Sequence, residues 1–176
     1  VVLLASLILA SGCSNNTETA TDNSENPSDS GNEVIKIGVI QPFSGPNAQA
    51  GEETYKGNEL AVEKINEDGG VLGKQIELIK ADATNAQEGI SEAERLITQE
   101  KVDILTGTYI SGVAYPATQI ANKNNILYWE TNALAPDITQ QGFENVIRIG
   151  LNTDTIVEVA INSIKDVVAP ALGKSV

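Results

Sequence analysis

From Val34 onward, short β-branched runs alternate with amphipathic helical stretches, and this alternation constrains the fold more than any other feature of the 176-residue chain. Residues 34–40 (VIKIGVI), 76–81, 102–106, 126–129 and 146–149 read as five strands. Between them, residues 52–67 place Tyr55, Leu60, Ala61, Val62 and Ile65 on an apolar face, with Glu52 and Lys56 at i,i+4, and Asp68-Gly69-Gly70 ends the helix. Residues 86–100 form a second helix, apolar at Ile90, Ala93, Leu96 and Ile97. Residues 113–122 form a third, with Pro116 in its first turn, where proline is tolerated. A last helix over 155–168 has Ile156, Ala160, Ile164 and Val167 on its apolar face. Strands and helices in this order predict an α/β fold: an open parallel sheet flanked by helices on both faces.

In such sheets, ligands bind outside the carboxyl ends of the strands, where the strand order reverses. The loops leaving the strands are long and rich in hydroxyls, amides and glycine: residues 41–51 (QPFSGPNAQAG), 107–112 (GTYISG) and 130–136 (ETNALAP). Those entering strands are short. Candidate solute contacts in the first two exit loops are Ser44, Tyr109, Ile110, Ser111 and Gly112. Ser111-Gly112 at a helix start offers N–H groups, a hydroxyl and the positive end of a dipole, which suits a carboxylate. The alternative is that Ser111 caps its own helix. Glu130, directly after the apolar ILYW run, faces a cationic group of a solute, or pairs with Lys or Arg, or caps a turn. Tyr109, Tyr128 and Trp129 either wall a pocket or belong to the core.

Charge and composition exclude several classes. With 24 acidic and 11 basic residues the net charge is −13, so nucleic acid is not an expected partner. Histidine is absent, which removes the commonest general base, and one cysteine allows neither an internal disulfide nor a Cys-rich metal site. No G-x-G-x-x-G or P-loop follows the first strand. Ser111 has no recognisable activating partner, so neither enzyme activity, nor a metal, nor a cofactor is expected.

The N-terminal segment reads as export and attachment. Residues 1–10 (VVLLASLILA) are too few for a comfortable membrane span but suit the apolar region of a signal peptide. Leu9-Ala10-Ser11-Gly12-Cys13 resembles a bacterial lipobox, with leucine one place earlier than is usual. Residues 1–13 are therefore expected to direct lipidation of Cys13, the alternative being a strand or helix that ends in a cysteine. Residues 14–33 are polar and acidic, a disordered tether spanning about 25 Å. The expected location is the extracytoplasmic face of the cell membrane, lipid-anchored. With no methionine and an apolar run at its start, the sequence is expected to be part of a longer chain.

Three motifs carry a family resemblance: Ser44-Gly45-Pro46, the INxDGG stop at residues 65–70, and P-x-I-T-x-x-G-F at residues 136–143. In this order and spacing the chain resembles the periplasmic-binding-protein family that includes the leucine/isoleucine/valine-binding and amide-binding receptors of ABC importers. The resemblance implies a type I fold of two lobes closing on a solute, with residues 34–176 forming the N-terminal lobe, truncated before the second. It also implies that Ser111 binds a solute carboxylate, that Asn132, Ala133 and Leu134 line the site, and that ABC permease subunits are partners. Ala50 stands where branched-chain-specific members often carry an aromatic residue, and Leu134 where a hydroxyl is expected nearby. The expected solute is thus an amino-acid-like or amide small molecule. An extracellular sensory domain of a regulatory receptor is the alternative on the same fold.

Overall fold

The computed structural model describes residues 34–174. The expected signal segment and lipobox with Cys13 (1–13), and the expected tether (14–33), lie outside the described residues. The strands are β1 (Ile35–Gln41), β2 (Ile76–Asp82), β3 (Ile104–Gly107), β4 (Leu127–Glu130) and β5 (Val146–Arg148). The helices are α1 (Ala48–Glu67), α2 (Ala86–Arg95), α3 (Ser111–Lys123) and α4 (Thr153–Ser163). Wider turns over Leu96–Glu100 and Ile164–Val168 prolong α2 and α4. All strand pairs are parallel, in the order β2-β1-β3-β4-β5, as the alternating pattern predicts.

Chain order sets the layers. The step from β1 to β2 runs one way across the sheet, and the steps through β3 to β4 run the other way. Right-handed crossovers therefore put α1 on one face and α2 with α3 on the other. The reversal falls between β1 and β3, so the crevice above these strands is where a ligand site is expected.

The two faces are filled unequally. Toward α2 and α3, Ile40, Ala81, Leu105, Tyr128 and Val146 pack with Ala93, Leu96, Val113, Ala117 and Ala121 in one closed core. Gly38 makes room there: a Cβ at this position would lie 2.8 Å from side-chain carbons of both Leu96 and Leu105. Burying a leucine fully is worth about 1.5–3 kcal/mol, so the missing methyl is offset by two well-seated neighbours. Toward α1, Ile37, Ile104, Thr106 and Trp129 line an apolar groove of about 420 Å³, and Trp129 stays 40% exposed.

Three local expectations are corrected. First, α1 starts at Ala48 rather than residue 52, fed by a tight turn over Gly45–Asn47 in which Pro46 occupies an early position and its missing N–H costs nothing. Gly51 lies inside α1, pressed against the Pro42 carbonyl so closely that no side chain fits. Second, α3 starts at Ser111, which moves Pro116 into the second turn and leaves the Gly112 carbonyl without its helical donor; Gly112 is exposed, so that carbonyl is open to solvent. Third, the apolar residues of α4 and its extension, Ile156, Val157, Ile161, Ile164, Val167 and Val168, are exposed rather than packed. Periodicity reports a face made for burial, and none of the described elements covers it.

Candidate functional site

One row of backbone crosses the carboxyl edge of the sheet: Ala81, Ile40, Gly107, Glu130 and Arg148 stand in register on β2, β1, β3, β4 and β5. The loops that leave β1, β3 and β4 therefore emerge side by side. The first is short. Asp82, at the end of β2, accepts hydrogen bonds from the N–H groups of Phe43 (2.7 Å) and Ser44 (3.2 Å) through one carboxylate oxygen. Phe43 meets Tyr55 edge to face, and Lys80 Nζ sits over both rings at 4.5 and 4.1 Å. Ser44 itself is exposed beside this clamp.

The loop after β3 turns at Gly107, whose φ of +133° and close contact with the Ile40 carbonyl admit only glycine. Thr108 is buried, Tyr109 exposed and Ile110 half-buried. Ile110 precedes α3 and supplies no side-chain cap. Ser111 does not cap the helix either: its Oγ accepts from the Ala135 N–H at 3.2 Å, which ties the helix start to the loop after β4. The first α3 amides that bond back to Ile110 are Val113 and Ala114. Among the described residues, the N–H groups of Ser111 and Gly112 have no acceptor, and the space around Gly112 is open. An accepting hydroxyl keeps its own proton to donate. The result is a set of donors at the positive end of a 13-residue helix.

The loop after β4 is held from all sides. Of the three readings of Glu130, the structure matches the turn cap rather than a solute contact or an ion pair: the residue is fully buried and turned toward the chain's own backbone. Its Oε1 accepts from the N–H groups of Thr108 (3.0 Å), Thr131 (2.9 Å), Asn132 (3.0 Å) and Ala133 (2.8 Å). Its Oε2 lies 3.1 Å from the Thr108 nitrogen and 3.4 Å from Thr108 Oγ1. Burial pushes the Glu130 carboxyl up to about 7, against the downward pull of those four N–H groups. Tyr128 shares the face; burial first, and the Glu130 charge second, push its phenol well above the usual range. Further along, the Leu134 carbonyl accepts from Thr153 (N–H 3.0 Å, Oγ1 3.2 Å) and the Ala135 carbonyl from Arg148 Nη2 (2.7 Å).

Ser111, Glu130, Ala133 and the Leu134 main chain thus fall in one hydrogen-bonded assembly, with Tyr109, Ile110, Gly112 and Asn132 on its two loops. Ser44 belongs to the separate Asp82 clamp. The Ala133 side chain is buried, and the side chains of Asn132 and Leu134 are exposed. Tyr128 is a core residue, and Trp129 faces the groove beside α1 rather than the loop crevice. Sequence reasoning passed over Thr108, Asp82 and Arg148, which position the loops, and Gln41, fully buried at the end of β1 with neither side-chain amide atom hydrogen-bonded. Among the described residues no cluster of three metal-ligating side chains occurs, and no helix is long and apolar enough to cross a membrane.

An open parallel sheet flanked by helices on both faces, with its strand order reversing between β1 and β3, is the architecture of an α/β binding-protein lobe. The chain belongs to the periplasmic binding protein family, whose profile matches residues 34–169. It is 41% identical over 140 residues to Leu/Ile/Val-binding protein homolog 7 of Brucella suis biovar 1 (strain 1330), covering 80% of this chain and 35% of that protein. Among solved structures it resembles the branched-chain amino acid transporter substrate binding protein LivJ from Streptococcus pneumoniae in complex with isoleucine. That match has a TM-score of 0.68 and 29% identity, over 77% of this chain and 39% of that one. It also resembles an ABC transporter solute binding protein from R. palustris in complex with 4-hydroxybenzoate, with a TM-score of 0.64 and 25% identity, over 74% and 36%. The chain spans little more than a third of the length of these relatives. The family is one of solute-binding transport proteins without catalytic activity, in keeping with the reading of the chain as no enzyme.

Proposed function

We propose that residues 34–176 are the N-terminal lobe of an extracytoplasmic solute-binding receptor of an ABC importer, and that this lobe takes the carboxylate of a small amino-acid-like or amide-bearing molecule at the start of α3. One observation carries the reading: the N–H groups of Ser111 and Gly112 are without acceptors, beside a Ser111 hydroxyl held in place by Ala135. Isoleucine and 4-hydroxybenzoate, the ligands of two structural relatives, differ in almost everything except a carboxylate, which supports an anion-accepting helix start as the shared element. Tyr109, Ile110, Asn132, Ala133 and Leu134 surround that point on the exit loops after β3 and β4, and Ser44 adds a contact from the loop after β1 on the far side of the crevice. A second lobe closes over the solute, and the permease receives it. Lipidated Cys13 holds the receptor at the membrane.

The test is a thermal-shift panel on the full-length protein, pairing each carboxylate (isoleucine, 4-hydroxybenzoate, other amino acids and small organic acids) with its neutral primary amide. A solute at 100 times its Kd stabilises by about 2.7 kcal/mol. The reading expects at least one acid to raise Tm by several degrees and its amide to do so far less. Equal shifts from acid and amide would remove the helix start as the anion site.

A further inference from the structure

Glu130 is an expensive residue at its position. The neighbouring inward-facing positions of the sheet, Ile40, Leu105 and Tyr128, are apolar or aromatic, and a buried carboxyl is tolerated only when its oxygens are satisfied. Here the satisfying donors come from two different connections: Thr108 from the loop after β3, and Thr131, Asn132 and Ala133 from the loop after β4. Removing the acceptor orphans the amides of Thr108, Asn132 and Ala133 together, while Thr131 N–H keeps the Gly107 carbonyl at 3.0 Å. From Glu130 the links run on to α3 by two routes. Thr108 Oγ1 is 3.4 Å from both Glu130 Oε2 and the carbonyl of Ile110, the residue that opens α3. Ala133 leads through Ala135 N–H to Ser111 Oγ.

Resting on the reading of this edge as the solute site, we propose that Glu130 is its positioning residue: a proton-dependent clamp that holds the loops after β3 and β4 as one preformed rim without touching the solute. The side chains facing it from neighbouring elements are Tyr128 on its own strand and Arg148 on β5, and Arg148 donates to Ala135. Tyr109, Tyr115 and Asp137 on the adjoining loops and helix are exposed, and the first two turns of α3 carry no charged side chain. Protonation at Oε2 leaves the four N–H bonds on Oε1 intact and creates a directed chain, from Oε2–H to Thr108 Oγ1 and from its hydroxyl to the Ile110 carbonyl. Any opening of the rim that exposes the carboxyl to water returns it to its ordinary acidity. The closed rim is therefore favoured as pH falls from about 8 to about 5.5, in line with a carboxyl titrating at about 7. Glu130→Gln mimics the protonated form, with its amide oxygen in place of Oε1 and its NH₂ toward Thr108.

The experiment is amide hydrogen exchange on the solute-free full-length protein, normalised for intrinsic pH dependence, for wild type, E130Q and E130L. In wild type, protection of Thr108, Asn132 and Ala133 is expected to rise on the order of tenfold between about pH 8 and about pH 5.5. E130Q keeps that protection at both pH values, and E130L loses it in both loops while β1 and β3 amides are unchanged. If E130L does not fold, the wild-type and E130Q pH profiles decide alone. Loss in E130L confined to Asn132 and Ala133, or a wild-type rim with no pH dependence beyond that of E130Q, would overturn the clamp. The solute reading stands or falls separately: a rim that behaves as expected in a protein whose panel shows no acid preference refutes the anion site and leaves the clamp in place.

Discussion

Two carboxylates do the same mechanical job at opposite sides of the crevice, and they do it in different solvents. Asp82 gathers the N–H groups of Phe43 and Ser44 at the end of β2, on an exposed surface where water competes for every bond. Glu130 gathers four N–H groups at the end of β4 with no exposure at all. An exposed clamp can be lost with modest consequence, because water replaces the missing acceptor. A buried clamp leaves orphaned amides when lost, and its burial moves its protonation toward neutrality. The comparison separates a loop that is merely fastened from a rim that is built in.

The largest effect is expected from removing the buried clamp. Glu130→Leu should destabilise the full-length protein by about 3–5 kcal/mol, read from chemical denaturation, because the loop amides of Thr108, Asn132 and Ala133 lose their acceptor. A loss under about 1 kcal/mol would put Glu130 on the same footing as Asp82. Next comes pH. The Glu130 carboxyl stands at about 7 in the folded chain, above its ordinary 4.5, so folding takes up a proton between those values. Its contribution to stability is complete below about pH 4.5 and is lost as pH rises through about 7. Between about pH 5 and pH 8 it should account for about 2 kcal/mol of lost stability that E130Q does not show; parallel curves for the two proteins would refute this. Ser111→Ala should weaken binding of a carboxylate solute by about 1–2 kcal/mol in calorimetry and lower Tm of the solute-free protein by a smaller amount, because the Ala135 N–H loses its acceptor. Smallest is Asp82→Ala, expected to cost about 0.5–1 kcal/mol with no change in the β3 and β4 loops; amide exchange in those loops tracking this variant would erase the contrast between the two clamps.

Much of this was legible in the residues, and the pattern of what was not is physical. The period-two runs and their helical spacers specify five parallel strands and the side on which each helix lies, because the crossover hand leaves little choice. Exit loops read from Ser, Gly and Asn content emerge side by side at one edge of the sheet. Helix starts were less readable. Gly45, Pro46 and Gly51 look like a loop, yet proline suits the opening turn and Gly51 is needed for close approach to Pro42 inside α1. Glu130 held a signal that strand periodicity contains: with Tyr128 buried, the residue two further along β4 points to the same face, inward. That three following N–H groups curl back onto it has no local sequence mark, since Thr, Asn and Ala contribute only their backbones. The apolar face of α4 reads as buried because periodicity records what a helix is made to pack against, and among the described residues that surface is open. Gln41 gave no sign in a strand of isoleucines and valine, and only the fold shows its amide to be buried and unpartnered.

The central claim, that the start of α3 receives a solute carboxylate, is tested most directly by backbone NMR of the full-length protein titrated with an acid that raises its Tm, such as isoleucine or 4-hydroxybenzoate. New hydrogen bonds to the Ser111 and Gly112 N–H groups should move both resonances downfield and saturate at the calorimetric Kd, while the matching neutral amide leaves them nearly in place. Saturable binding with both resonances unmoved would contradict the claim and move the site away from this helix.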